Sequence, residues 1–178
     1  MSWYALFLET GKEEQVKKML EDKFPNEQIR CFNPQKVVPE KRQGIITDTT
    51  RSLFPGYLFL EVNLTTNIYY KILDTPKIRY MVNSGRVKRD HSFSYFTSIS
   101  ENEIEWILSL TDCGGKLVKS DVFVHHEKVI VSSGPLMGLE SKIKKVDKRK
   151  RRAKLEISLL DQVFTIDVGV NILNNLPS

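Results

Sequence analysis

Apolar and polar positions along this chain repeat with two different periods, and each change of period marks an element. WYALFL (3–8) is a short apolar, aromatic run that suits a buried strand. Val16, Met19, Leu20 and Phe24 then recur at helical spacing, with Thr10 and Glu13 placed as a capping box and Pro25 as the stop. Residues 28–38 predict a strand that Pro34 interrupts and Pro39 ends. PEKRQGIITDTTRS (39–52) is polar and turn-rich, which predicts an exposed loop or a mobile hairpin. FPGYLFLEV (54–62) is the strongest strand of the first half. Ile68, Ile72 and Leu73 mark a short helix over 66–74, and KIRYMV (77–82) is a further strand beyond Pro76.

The order strand–helix–strand–strand–helix–strand is the split βαβ pattern of a ferredoxin-like domain. A third helix is predicted over 100–110, capped by Ser100 and Glu103 and apolar at Ile104, Ile107 and Leu108. TDCGGKLVKS (111–120) reads as a linker. Short strands follow near 122–124, 128–131, 142–146, 153–159 and 163–168, enough for a small barrel. In 153–159, Ala153, Leu155, Ile157 and Leu159 share the inward face; Phe164, Ile166 and Val168 do so in the next strand. The fold class is therefore α+β: a first domain over 1–110, a linker over 111–120 and a barrel over 121–178.

Charge changes this picture in one place. The net charge is +5; residues 117–178 hold eleven basic and seven acidic residues, while the other 116 carry only +1. The excess sits in KIKKVDKRKRRAK (142–154), with nine cations against Asp147 alone. Between two strands, DKRKRR (147–152) must be a hairpin tip, with the outward Lys142, Lys144 and Lys154 extending the charge along its sides. Lysines do protect exposed sheet edges, but one or two suffice for that. Five consecutive cations at a tip repel each other until an anion arrives. A β-ribbon can present such side chains to phosphates and to base edges. The candidate nucleic-acid set is Lys142, Lys144, Lys145, Lys148, Arg149, Lys150, Arg151, Arg152 and Lys154.

Three segments then carry a resemblance. WY at 3–4 followed by TGKE, FPGY at 54–57, and VIVSSGPLMGLESKIKKVD late in the chain are together similar to the NusG family of transcription elongation factors. The last segment looks like a KOW motif, in which a short strand, Gly-Pro-apolar and a second Gly precede a strand ending in Asp. The resemblance spans 3–168 and implies an NGN domain with a ferredoxin-like fold, then an SH3-like KOW barrel. It implies that an apolar depression on the NGN domain binds the clamp of bacterial RNA polymerase. By position, that role falls on Phe7, Phe54, Pro55, Tyr57, Phe59, Tyr80 and Met81; Phe7 and Phe59 suit the sheet core equally well. Residues Asn67–Tyr70 resemble the stretch that faces the opposite lobe.

The chain departs from the general pattern at His125-His126, at Ser141 and in the basic tip. It therefore resembles a specialised paralogue. RfaH-type factors read non-template DNA, and Glu9 and Gln15 stand where that mode would place other residues. LoaP-type factors bind an RNA hairpin through a basic KOW domain and drive processive antitermination, and GLESKIKKVDKRKRRAKLEI is most similar to theirs. Two further readings stay open. One is an elongation factor whose barrel recruits a ribosomal protein or termination factor; the other is a KOW-type RNA-binding protein with no polymerase role.

Enzymatic chemistry is not indicated. His91, His125 and His126 are the only histidines, and adjacent strand residues face opposite sides, which suits no chelate. Cys31 and Cys113 form no metal spacing or disulfide framework, and no glycine-rich phosphate loop occurs. No cofactor or metal is expected. With no apolar run long enough to span a bilayer and no signal-like start, a cytoplasmic address without membrane contact is expected, and the chain is expected to be a monomer.

Overall fold

A computed structural model describes residues 1–25, 29–82, 98–125 and 128–174; His91 and His126 lie outside them. The chain divides into two compact units, Met1–Asn33 with Phe54–Glu105 and Pro34–Leu53 with Trp106–Ser178. The elements run β1 (Ser2–Leu8), α1 (Glu13–Lys23), β2 (Ile29–Phe32), β3 (Gln35–Arg42), β4 (Ile45–Ser52), β5 (Tyr57–Val62), α2 (Thr66–Leu73) and β6 (Ile78–Met81). There follow α3 (Glu101–Ser109), β7 (Lys116–Leu117), β8 (Ser120–His125), β9 (Lys128–Ser133), β10 (Ile143–Asp147), β11 (Arg152–Leu159) and β12 (Gln162–Leu173).

In the first unit the sheet order is β2-β5-β1-β6, with every neighbouring pair antiparallel, which is the ferredoxin-like arrangement. One face buries Leu6, Leu8, Leu58, Leu60, Val62 and Met81 with Val16 and Leu20 of α1 and Ile72 of α2. Each such side chain contributes about 1.5–3 kcal/mol of burial. Alternation sends Trp3, Phe7, Tyr57 and Phe59 to the other face.

Two sequences of the form Thr/Ser-x-x-Glu behave differently here. Before α3, Glu103 donates its backbone N–H to Ser100 Oγ at 3.3 Å, and Ser100 N–H donates to Glu103 Oε2 at 3.1 Å, a closed capping box. Before α1 the expected box does not form. Gly11 turns the chain at φ +85°, Lys12 becomes the N-cap, and no side chain caps the helix. Glu13 is instead buried, and its Oε1 accepts from Gly11 N–H (3.1 Å) and Gly56 N–H (2.7 Å). That carboxylate ties the β1–α1 turn to the FPGY turn. Gly56 has φ +84°, and a Cβ there would sit 3.1 Å from Thr10 Oγ1, so only glycine fits without strain.

The second unit holds a five-stranded sheet, β10-β11-β12-β8-β9, and a three-stranded one, β4-β3-β7. Ala153, Leu155, Ile157, Leu159, Ile166 and Val168 are buried as the alternation requires, while Phe164 is only half-buried. Of the two expectations for residues 39–52, a loop or a hairpin, the hairpin is what forms. These residues complete a regular hairpin with β3 paired to β4 from Gln35↔Ser52 to Arg42↔Ile45. Gln43 (φ +48°) and Gly44 (φ +86°) supply the two left-handed positions of a tight hairpin turn.

Pro39 does not end the strand. Its carbonyl accepts from Arg152 Nη2 at 2.8 Å, so its backbone edge points away from β4 and the ladder loses no donor. Residues 111–120, expected as a linker, include β7, which pairs parallel with β3 at Gln35↔Lys116 and Lys36↔Leu117. Gly169 on β12 lets β3 approach. A Cβ there would collide with the Val37 carbonyl oxygen and meet Pro39 Cδ at 3.2 Å.

Candidate nucleic-acid interface

The basic segment forms the β10–β11 hairpin, with pairs Lys145↔Lys154, Val146↔Ala153 and Asp147↔Arg152. A bulge between Ile143 and Lys145 shifts the register, so Lys144 and Lys145 are both exposed where strict alternation would expose only one. Lys142 precedes the strand in a short 3-10 turn (Glu140–Lys142) and is exposed. Residues 148–151 make the tip. Asp147 Oδ1 accepts from Lys150 N–H at 2.8 Å, and that bond is the main cause holding its carboxyl below the ordinary carboxylate range. The single acid of the tip therefore shapes the turn.

The cations then separate by partner. Lys144 Nζ pairs with Glu156 at 3.4 Å, and Lys148 Nζ donates to the Val124 carbonyl at 3.4 Å. Lys145, Arg149, Lys150, Arg151 and Lys154 are exposed and form no ion pair among the described residues. Arg152 corrects the expected set. It is half-buried and its Nη2 donates to Pro39 O, so it braces the barrel against β3 while still lining the surface beside it. Beneath it, burial pulls the Lys36 ammonium below its ordinary pKa, opposed by nearby Asp167.

The aromatic candidates on the first unit also divide. Phe7 meets Tyr57 edge-on at 5.3 Å and stacks on Tyr80 at 5.1 Å, and Pro55 beside them is exposed. Phe54 and Phe59 are buried, packed edge-to-face at 5.6 Å, and present no surface. Met81 is on the opposite face of the sheet, in the helix-side core, because it adjoins Tyr80 on one strand and pairs with Leu6. Residues not anticipated on the aromatic face are Phe32, edge-on to Trp3 at 6.2 Å, and Arg30, whose guanidinium lies 5.8 Å from the Trp3 ring. The every-second-residue pattern from Phe7 back to Trp3 carried that signal.

Tyr69 and Tyr70 stack edge-on at 5.2 Å on α2, and Tyr70 is exposed. Glu9 pairs with Lys77 at 3.1 Å. Among the described residues no group of three or more His, Cys, Asp or Glu side chains could hold a metal ion, and no helix is long and apolar enough to cross a membrane.

Residues 1–108 match the family model described as transcription termination factor nusG. The chain is 28% identical over 174 residues to the transcription termination/antitermination protein NusG of Helicobacter pylori, with 94% of each chain covered. It is 24% identical over 179 residues to that of Staphylococcus carnosus, covering 98% of this chain and 95% of the relative. Among solved structures, one titled for domain interaction in Thermotoga maritima NusG superposes with a TM-score of 0.55 at 19% identity, over 94% of this chain and 93% of that one; the likeness is one of fold. The family match over more than half of the chain, joined to a ferredoxin-like unit and a small barrel, leads to one conclusion: the chain belongs to the NusG family of transcription termination/antitermination proteins.

Proposed function

We propose that this chain is a processive antitermination factor of the LoaP type, holding RNA polymerase with its first unit and a folded RNA with its second. The observation that carries the reading is the β10–β11 arm. Lys145, Arg149, Lys150, Arg151 and Lys154 project from a register-fixed ribbon without ion pairs among the described residues, while Asp147 is committed to the tip's own backbone. Like charges held this close raise the energy of the free protein. A polyphosphate backbone relieves that repulsion and releases its own counterions. Arginine forks add base-edge recognition at about 1–3 kcal/mol for each good bidentate contact. On the first unit, Phe7, Tyr57 and Tyr80 offer an accessible aromatic cluster of the kind that anchors protein interfaces. The polymerase clamp is its proposed seat. The mechanism is bridging by contact, with no chemical step.

One paired experiment tests this. In cells carrying tagged protein, polymerase co-purification and transcript capture are measured together. Arg149→Ala/Lys150→Ala/Arg151→Ala is expected to lose RNA capture at least about tenfold while keeping polymerase. Tyr57→Ala/Tyr80→Ala is expected to lose polymerase and keep RNA binding in vitro. Full RNA affinity in the first variant overturns the RNA assignment; full polymerase recovery in the second overturns the clamp assignment.

A further inference from the structure

We propose that the β3–β4 hairpin is a second wall of the RNA site, so that RNA is held in a groove between two β-ribbons rather than on one arm. An open groove of about 730 Å³ lies between that hairpin and the β10–β11 tip, within the same compact unit. Lys41, Arg42 and Ile46 line one side; Arg149 and Lys150 line the other, with Arg152 between them. The proposal rests on the RNA reading above and adds residues that the basic tip alone does not suggest.

Charge is the first argument. Among the described residues Glu40 is the only acid on the groove wall, and Arg51 engages it with two bonds of 2.9 Å from Nε and Nη2. Arg42 approaches the same carboxylate only loosely, at 3.7 Å, and its side chain stays 71% exposed. Lys41 forms no ion pair among the described residues. Cations therefore face the groove from both sides with one neutralised acid between them. A polyanion seated there meets positive potential on two walls and loses water, so each contact is stronger than on a flat surface.

Rigidity is the second argument. The hairpin is pinned in place by Arg152 Nη2 on Pro39 O (2.8 Å), by Lys119 Nζ on Asp48 (2.6 Å) and by the bare Cα of Gly169. The two walls thus keep a fixed spacing before any ligand arrives, which lowers the ordering cost of binding. Shape and composition choose the ligand class. Ile46 is half-exposed beside the cations, giving a ribose or an unstacked base an apolar surface, and the planar guanidinium groups of Arg42 and Arg149 can stack on bases. This fits the loop or flank of a folded RNA, where bases are splayed and phosphates are close together.

The test uses the full chain and a fluorescein-labelled RNA stem–loop with a single-stranded flank of arbitrary sequence, because phosphate contacts are sequence-independent. Anisotropy is followed over a KCl series for the wild type, Lys41→Ala/Arg42→Ala, Arg149→Ala/Lys150→Ala, and Lys18→Ala/Lys71→Ala as a charge-matched control on the first unit. The hairpin variant is expected to bind roughly fivefold or more weakly and to flatten the log K against log salt slope by about 1–2, with the control near wild type. Lys41→Arg/Arg42→Lys is expected to restore both quantities. Thermal melts by circular dichroism confirm that the exposed substitutions leave the fold intact. A hairpin variant equal to the control, beside a tip variant that loses binding, overturns the two-walled groove and leaves the single-arm reading standing. A tip variant that binds as wild type removes both. Equal affinity for a DNA duplex of the same stem, or for a polyglutamate peptide, overturns the choice of RNA.

Discussion

The two hairpins of the second unit carry similar charged residues and use them in opposite ways. On β3–β4, Glu40 takes Arg51 with two short bonds and Arg42 more loosely, and Asp48 holds Lys119. On β10–β11 the single acid at the tip turns inward to the backbone, and among the described residues only Lys144 of the cations there finds a carboxylate, Glu156. Density of charge is thus a poor guide to function by itself. What matters is the charge that remains after the protein's own carboxylates have been assigned. By that measure, among the described residues the first hairpin leaves exposed only Lys41 and part of Arg42, both beside the groove, with Lys36 half-buried, whereas the second leaves Lys145, Arg149, Lys150, Arg151 and Lys154.

Separating the hairpins should break the comparison most severely. Gly169→Ala drives a methyl group into the Val37 carbonyl and toward Pro39. Overpacking of that kind costs about 1–3 kcal/mol, here expected at the upper end because backbone atoms cannot rotate away. Hydrogen exchange should show residues 35–52 losing protection, and RNA affinity should fall to that of Lys41→Ala/Arg42→Ala. If exchange in 35–52 stays slow and the melting temperature is unchanged, β3 is not held by close approach to β12.

Converting one hairpin into the likeness of the other sharpens the comparison. Glu40→Gln leaves Arg51 and Arg42 without their carboxylate. Removing one negative charge within a few ångströms of a bound phosphate is worth roughly three- to fivefold in affinity after screening. RNA binding should therefore tighten by that factor, measured by the same anisotropy titration. The bond from Arg51 holds the Glu40 carboxyl below the ordinary carboxylate range, with the Arg51 charge also contributing. The wild type thus keeps this negative charge as pH falls to about 5, and the gap between the two proteins should persist there. Weaker binding by the variant would mean that Glu40 positions the arginines for the ligand instead of masking them.

How much of this was legible in the sequence depended on how local the deciding contact was. The inward face of β11 and the capping box of α3 follow from neighbours within four residues, and both form as read. The matching motif at Thr10 and Glu13 failed because Glu13 is claimed by Gly56, 43 residues away. The β3–β4 hairpin stayed undecided between loop and hairpin for the same reason. Only Val37 and Val38 give β3 an apolar signal, and Pro39 argues against a strand unless its carbonyl is known to face Arg152. In the candidate site, the charge run marked the tip, but no local pattern could show that Arg152 is tied to Pro39, since that partner lies 113 residues earlier. Met81 was different, because the alternation with Tyr80 already placed it on the other face.

The smallest expected effect gives the comparison its scale. Glu156 pairs with Lys144 on the side of the β10–β11 arm at 3.4 Å, and both side chains are about half exposed. An exposed pair with a single contact is worth little, because solvent screens it and two long side chains must be ordered to make it. Glu156→Gln removes the same unit of charge as Glu40→Gln, yet Glu156 does not line the groove. RNA affinity should stay within about twofold of wild type and the melting temperature within about a degree. The two substitutions are thus equal in net charge and differ only in place. An equal gain from both would mean that total charge sets affinity, so that neither the groove nor the contrast between paired and leftover cations explains how this unit binds.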